Sequence, residues 1–379
     1  MKINICSTTL LSILLLNSGA DASNTTSSSG FISNAAILFK GRIQEYADNA
    51  DQISPEAISI PNYPSINIAP WLEPTSYTDE EREKIVYQVL EQASGAGSFN
   101  IVGHNITREV LDRIESSTSD FFSESVDYKM QFAAQSNAND VGVRIGKGPG
   151  YTQMHEEAFG KMYYKSTNPY ENISDMREGY KFLYPSSEAN IKAPDYFQES
   201  MDEFMEMVQP IQLALSMIIT SALNLAKGQD LPLTFFNQDE ESDTTLGVLK
   251  TQRYSALPSE YDDATKLLPH IDSAFISILY SSEKGLEEIR DNRWVAVPIN
   301  KERGELHVNI GQILEVWSNG LFTGNIHRVS NNCQKNRISL AYFRADLDGK
   351  SRVPVCKEGE VARFAGTSAL QHFNQYTEA

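Results

Sequence analysis

After residue 245 the sequence breaks into short β-rich runs separated by turn signals, and this series constrains the fold more than any other feature. The runs fall at 247–249, 275–280, 294–298, 306–310, 313–317, 322–329 and 338–343. Asn319-Gly320 stands between two of them and predicts a tight hairpin. Many short strands in series imply a sandwich or a barrel.

The chain ahead of this lobe is helical. Thr78 and Glu81 form a T-x-x-E capping box, and Ile85, Val86, Val89, Leu90 and Ala93 follow at helical spacing. Gly95 and Gly97 stop that helix, and Phe99, Ile101 and Val102 predict a short strand. A second helix is expected over about 107–122. Residues 138–185 lack clean periodicity and read as loops with short elements. A long helix should follow, capped by Ser200 and Glu203 and ended by Lys227-Gly228. Its apolar stripe runs through Phe204, Val208, Ile211, Leu215, Ile218, Ala222 and Leu225, with Pro210 a candidate kink. It should brace a sheet.

Composition narrows the class of partner. With 41% hydrophobic and 22% charged residues, the chain reads as a soluble globular protein. A net charge of −18 repels phosphate backbones and anionic bilayers, which argues against nucleic acid. No run beyond the N-terminus is expected to span a bilayer. At the N-terminus, Lys2, the apolar stretch 10–16 and Ala20-Asp21-Ala22 resemble a cleaved secretory signal. The Ser/Thr-rich stretch 23–30 suits an organelle-targeting leader equally, a plastid one included; a misread start would leave the protein cytoplasmic. Cys6, Cys333 and Cys356 show no zinc-ligand spacing; the last two can pair or stay reduced.

The chemistry centres on Leu268-Pro269-His270-Ile271-Asp272. In an extended chain, residues two apart share a face, so His270 and Asp272 can converge on one point. His327 follows, with 54 residues separating it from Asp272. Two imidazoles and one carboxylate on one face of an octahedron are the donor set of non-haem Fe(II) oxygenases. By itself H-x-D is also compatible with a hydrogen-bonded surface pair. Arg337-Ile338-Ser339 begins ten positions after His327. In a strand, Arg337, Ser339, Ala341 and Phe343 share one face. A guanidinium and a hydroxyl side by side fit a carboxylate ligand; a structural salt bridge is the alternative.

The stretch 64–343 resembles the isopenicillin N synthase-like, iron/ascorbate-dependent family of 2-oxoglutarate/Fe(II) dioxygenases. The motifs that carry the resemblance occur in order: Gly97 to Ile106, His270-x-Asp272, Gly285-Leu286, Trp294-Val295, His307-Val308-Asn309-Ile310-Gly311, Ser318-Asn319-Gly320, His327-Arg328-Val329 and Arg337-x-Ser339. The resemblance implies a mixed α/β (α+β) protein: a double-stranded β-helix, or jelly roll, with an α-rich N-terminal region. It implies iron at His270, Asp272 and His327, and 2-oxoglutarate and O2 as co-substrates, with ascorbate an optional reductant. It implies that Arg337 and Ser339 hold the far carboxylate of 2-oxoglutarate with Tyr254 nearby. Relatives carry Asn where this chain has Gln252, and often Asp where it has Gln312. The division expected is 1–22 leader, 23–62 polar lead-in, 63–199 N-terminal dioxygenase region, 200–228 bracing helix, 245–350 catalytic domain and 351–379 C-terminal segment.

His104 and His307 read as structural, and His155 and His372 as surface residues. Arg144, Tyr151, Lys161, Tyr163, Tyr164, Phe275 and Phe343 are candidates to line a substrate pocket. The expected activity is oxidation of a C–H bond of a small organic molecule by a monomer. The rivals are an oxidase of the same fold that does not consume 2-oxoglutarate, and a jelly-roll binding protein without catalysis. Nucleic-acid demethylases need a second arginine six positions after the first; here that residue is Phe343.

Overall fold

A computed structural model of the protein describes residues 32–48, 57–134, 148–154, 156, 177–184, 190–237, 247–256, 265–330, 335–344 and 350–372. The leader, His155, Cys333, Arg144, Lys161, Tyr163 and Tyr164 lie outside the described residues.

The helical half begins earlier than expected. Helix α1 (Ile32–Asp48) occupies part of the segment read as a polar lead-in. Phe39 and Ile43, one helical turn apart, are fully buried in the main core. Arg42 adds a 2.8 Å ion pair to Glu315 and donates to the carbonyl of Gly324. Strand β1 (Ser65–Asn67), helix α2 (Ala69–Leu72), helix α3 (Asp79–Ser94), strand β2 (Ser98–Val102), helix α4 (Arg108–Ser123) and helix α5 (Val126–Met130) follow. The Thr78/Glu81 capping box is formed in both directions at the start of α3.

Two strands lie within the stretch read as loops: β3 (Gly150–Thr152) and β4 (Arg177–Tyr184). The sequence of β4 hid it, because Arg177, Glu178 and Lys181 are all buried and spoil the polar-out alternation. The long helix α6 (Asp195–Lys227) starts before Ser200. Pro194 occupies its N-cap, and the Ser200 hydroxyl bonds to the carbonyl of Tyr196 inside the helix. Gly228, at φ 63°, ends it as expected. This helix is long and apolar enough to cross a membrane, contrary to the sequence expectation, but 61% of its most apolar stretch is buried inside the protein. It packs on α3 and α4 as a core helix.

The remaining strands are β5 (Gly247–Tyr254), β6 (Thr265–His270), β7 (Ile276–Ser281), β8 (Leu286–Arg290), β9 (Arg293–Ala296), β10 (Leu306–Ile310), β11 (His327–Ser330) and β12 (Arg337–Arg344). They form an eight-stranded sheet, β1-β2-β10-β7-β12-β5-β4-β3, and a four-stranded sheet, β6-β11-β8-β9. Apart from β1 with β2, the pairings are antiparallel. The two sheets are the layers of a jelly-roll core, with the helices outside.

One expected strand is a helix. Residues Gln312–Trp317 form α7, and Asn319 and Gly320, at φ 54° and 75°, turn the chain after its C-cap rather than closing a hairpin. A short, continuous apolar run fits either state by periodicity, and left-handed residues end helices as readily as they join strands. The C-terminal segment folds back on α7: the Trp317 indole donates to the carbonyl of Thr367 at 3.0 Å.

Candidate active site

Antiparallel pairing of β6 with β11 sets His270 directly opposite His327. Their ring centroids are 4.2 Å apart. Asp272 lies just past the end of β6, and its Oδ1 is 3.5 Å from Nε2 of His270 and 3.7 Å from Nε2 of His327. All three side chains are buried, and their ligand atoms lie within 4.8 Å of one another.

Each imidazole is oriented by its own strand. Nδ1 of His270 meets the carbonyl of Leu268 at 2.9 Å, and Nδ1 of His327 meets that of Asn325 at 3.2 Å. A proton on Nδ1 satisfies both carbonyls and leaves the Nε2 lone pairs aimed at Asp272. Burial, assisted by the neighbouring His270, pushes His327 down to about 4, so it is neutral at physiological pH. Burial raises the Asp272 carboxyl, but the two imidazoles and a hydrogen bond from Ser277 outweigh it and hold Asp272 well below the usual range. The Ser277 hydroxyl donates to Oδ2 at 2.5 Å, which leaves Oδ1 facing the imidazoles. Two imidazoles and an ionised carboxylate suit Fe(II).

The triad opens into a cavity between the two sheets, and Arg337, Ser339 and Tyr254 stand on its other wall. Register puts Arg337 opposite Tyr254, and Ser339 opposite Gln252. The Arg337 guanidinium lies 5.0 Å from the centre of the Tyr254 ring. Its Nη2 donates to the Ser281 hydroxyl at 2.5 Å and its Nε to the carbonyl of Glu283 at 3.2 Å. Gln252, where relatives carry Asn, accepts the Tyr254 hydroxyl proton at 2.9 Å. The face expected on β12 is the one observed: Arg337, Ser339, Ala341 and Phe343 all line the cavity.

Other candidates sort differently. Phe275 packs against Phe236 and Trp317, and the Tyr151 hydroxyl bonds to Glu178 at 2.6 Å; neither lines the cavity. His104 and His307 are structural: His104 contacts the carbonyl of Gly304, and His307 the amides of Asn100 and Asn309. Gln312 is structural too, donating to the carbonyl of Ile271. His372 is buried rather than exposed, because α1 covers it and Gln312 pairs with it at 2.8 Å. Arg328 ties two motifs together by stacking 3.9 Å over the Trp294 ring.

The sequence reading missed Ser277, Arg177 and Lys250. Ser277 follows Asp272 by five residues, across a bend that no periodicity marks. Lys250 could have been found, since Val248, Lys250, Gln252 and Tyr254 alternate onto one face of β5 and line the cavity.

Two family descriptions match: the 2OG-Fe(II) oxygenase superfamily over residues 248–346, and the non-haem dioxygenase N-terminal region over 64–201. Gibberellin 2-beta-dioxygenase 8 of Arabidopsis thaliana is 29% identical, over 70% of this chain and 69% of its own length. A probable 1-aminocyclopropane-1-carboxylate oxidase of Dianthus caryophyllus is 25% identical, over 75% and 79%. The fold is similar to that of a full-length Neurospora crassa protein solved in complex with alpha-KG, at a TM-score of 0.66 and 20% identity, over 83% of this chain and 95% of that one. With the buried His-Asp-His cluster, these matches make the chain an oxidoreductase that belongs to the 2-oxoglutarate/Fe(II) oxygenase family, with O2 as the second co-substrate.

Proposed function

We propose that His270, Asp272 and His327 are the iron ligands, and that Arg337, Ser339 and Tyr254 hold 2-oxoglutarate. The observation that carries this reading is the single cavity that the buried triad shares with the arginine wall. When bound, iron and 2-oxoglutarate supply the oxidising chemistry, in which O2 is consumed, the co-substrate leaves as succinate and CO2, and a substrate C–H bond is oxidised.

The chain's own residues bind, orient and exclude water. The imidazoles offer Nε2, and Ser277 fixes the carboxylate so that Oδ1 is the free ligand. Arg337, held by Ser281 and Glu283 and stacked on Tyr254, presents a fixed cation to the far carboxylate. Leu267, Leu279, Leu286 and Val329 supply apolar walls that keep bulk water from the reacting centre.

The reading extends to a role in specialised metabolism, acting on a small molecule as a monomer that does not associate stably with membranes. The two matched regions favour a division into an N-terminal dioxygenase region, 63–199, and a catalytic domain, 245–350. Lys2, the apolar stretch 10–16 and Ala20-Asp21-Ala22 support a removable leader and a secretory or organellar address. The mass of the mature protein tests the leader: loss of about the first 22 residues is expected, and an intact Met1 would refute it. Succinate release tests the activity: it should require iron, 2-oxoglutarate and O2 and be lost in Arg337→Ala at limiting 2-oxoglutarate. An oxidation that proceeds with no succinate formed would favour the oxidase alternative.

A further inference from the structure

Most polar side chains on the cavity wall have a task or a partner. His270, Asp272 and His327 take the metal in the reading above, and Arg337, Ser339 and Tyr254 the co-substrate. Gln252 accepts the Tyr254 hydroxyl proton, and Arg177 and Lys250 keep contacts within the fold. Ser273 has neither. It lines the cavity directly after Asp272, and its hydroxyl is buried with no hydrogen-bond partner among the described residues. A buried hydroxyl left unpaired is costly, so beside a cavity it points to a ligand group that completes it.

The backbone holds Ser273 in place. It sits on the bend between β6 and β7, and that bend is fastened on both sides. The Asp272 carbonyl accepts from the Gln312 amide at 2.8 Å, and the Phe275 carbonyl from the Gly311 amide at 3.0 Å. The Phe275 amide donates to the carbonyl of Arg344 at 3.0 Å. A side chain at Gly311 would collide with the Ala274 carbonyl. The bend lies at the end of the cavity away from Arg337. Phe343 stands six positions beyond Arg337 on β12, about 20 Å along an extended strand. It pairs with Val248 on β5 and with Ser277 on β7, the serine that holds Asp272. A 2-oxoglutarate molecule held at Arg337 is too short to fill this end, where Ser273 joins Ala274, Val248 and Phe343.

We propose that Ser273 is a substrate-binding residue, and that the substrate is a small, largely apolar molecule with a hydroxyl or keto oxygen held by the Ser273 hydroxyl. This rests on the iron and co-substrate reading above. A serine hydroxyl both donates and accepts, so it serves either oxygen function. Because Ser273 adjoins a metal ligand in sequence, the bond seats that oxygen near the metal. The C–H bonds nearest the oxygenated carbon are then the ones presented for oxidation. A hydrocarbon of the same shape leaves the hydroxyl unpaired and binds less well.

The test uses the full protein loaded anaerobically with Fe(II) and saturating 2-oxoglutarate. Benzyl alcohol and acetophenone are titrated in, against toluene and ethylbenzene, at up to millimolar concentration. The visible charge-transfer band of the chelate is the readout, because a ligand beside the iron perturbs it. The alcohol or the ketone should shift the band with 2-oxoglutarate still bound, and its hydrocarbon counterpart should do so about tenfold more weakly. Ser273→Ala should weaken the response to the oxygenated probe about tenfold, to the level of the hydrocarbon, whose own response stays as in the parent. Ser273→Thr keeps the hydroxyl and should restore the preference. A band in Ser273→Ala shows that the variant is folded and loaded. Equal responses to oxygenated probes and hydrocarbons would overturn the assignment. So would a preference unchanged in Ser273→Ala, or no response to either oxygenated probe. Loss of the band in Ser273→Ala would assign the hydroxyl to the metal site and overturn it too. Absence of the band in the parent protein would instead defeat the iron and co-substrate reading, and this proposal with it.

Discussion

The four-stranded sheet and the eight-stranded sheet meet across one cavity and build their halves of it by different means. On the small sheet the functional atoms are set locally. His270 and His327 each lean on a carbonyl two residues back on their own chain, and one cross-strand pairing brings them together. On the large sheet the wall is collective. Arg337, Tyr254 and Arg177 come from three strands, and their order depends on an eight-residue register between β12 and β5 and another between β5 and β4. Local orientation suits a metal, whose ligands must meet within a few tenths of an ångström. Collective register suits an extended organic ligand, which needs several anchors spread over a surface.

Breaking the small sheet should have the largest effect. On the proposed assignment His327→Ala removes one of the three iron ligands, so iron content after purification should fall to background and turnover should vanish. Retention of stoichiometric iron in that variant would contradict the ligand assignment. Next is the support behind the small sheet. Helix α1 meets β6, and Phe39 packs edge-on against His372 at 5.9 Å. Phe39→Ala should cost roughly 3–5 kcal/mol in a denaturant titration, while the 2-oxoglutarate affinity of the folded fraction stays near that of the parent. An unchanged midpoint would mean that α1 does not hold this side of the fold.

Smaller changes sharpen the contrast. Ser277→Ala frees one oxygen of Asp272 and should weaken Fe(II) binding about tenfold to a hundredfold, read by metal titration. Arg337→Ala should leave Fe(II) affinity alone and raise the 2-oxoglutarate requirement about tenfold to a hundredfold. If both variants moved both affinities equally, the two halves would not be separable. The smallest effect is set by pH. Burial pushes His372 down to about 4 and His307 down to about 3. Unfolded histidine titrates near 6.5, so the unfolded chain takes up protons first. The stability these residues contribute is complete above about pH 6.5 and is lost as pH falls toward 4 and then 3. His372→Gln should remove part of that acid sensitivity, on the order of 2 kcal/mol between pH 7 and pH 4, measured by unfolding at each pH.

The same contrast explains what the sequence disclosed. The closeness of His270 to Asp272 and the Arg337 face were readable because each rests on short spacing: two residues in H-x-D, and strict alternation along one strand. The Thr78/Glu81 cap was readable for the same reason. Arg177 was not, because its strand runs Arg-Glu-Gly-Tyr-Lys-Phe-Leu-Tyr, with buried charges where a surface strand has polar residues. Helix α1 was not, because Phe39 and Ile43 are too sparse a stripe to stand out from polar sequence. Residues 313–317 were taken for a strand because every one of them is buried, Glu315 included, and burial on all sides erases the helical period.

The most direct measurement of the central claim is an anaerobic titration of the protein with Fe(II) and then 2-oxoglutarate, followed by the visible charge-transfer band of the chelate. The band should form in the parent protein, be absent in His327→Ala, and need about tenfold to a hundredfold more 2-oxoglutarate in Arg337→Ala. Iron bound without any band, or a band whose 2-oxoglutarate dependence ignores Arg337, would contradict it.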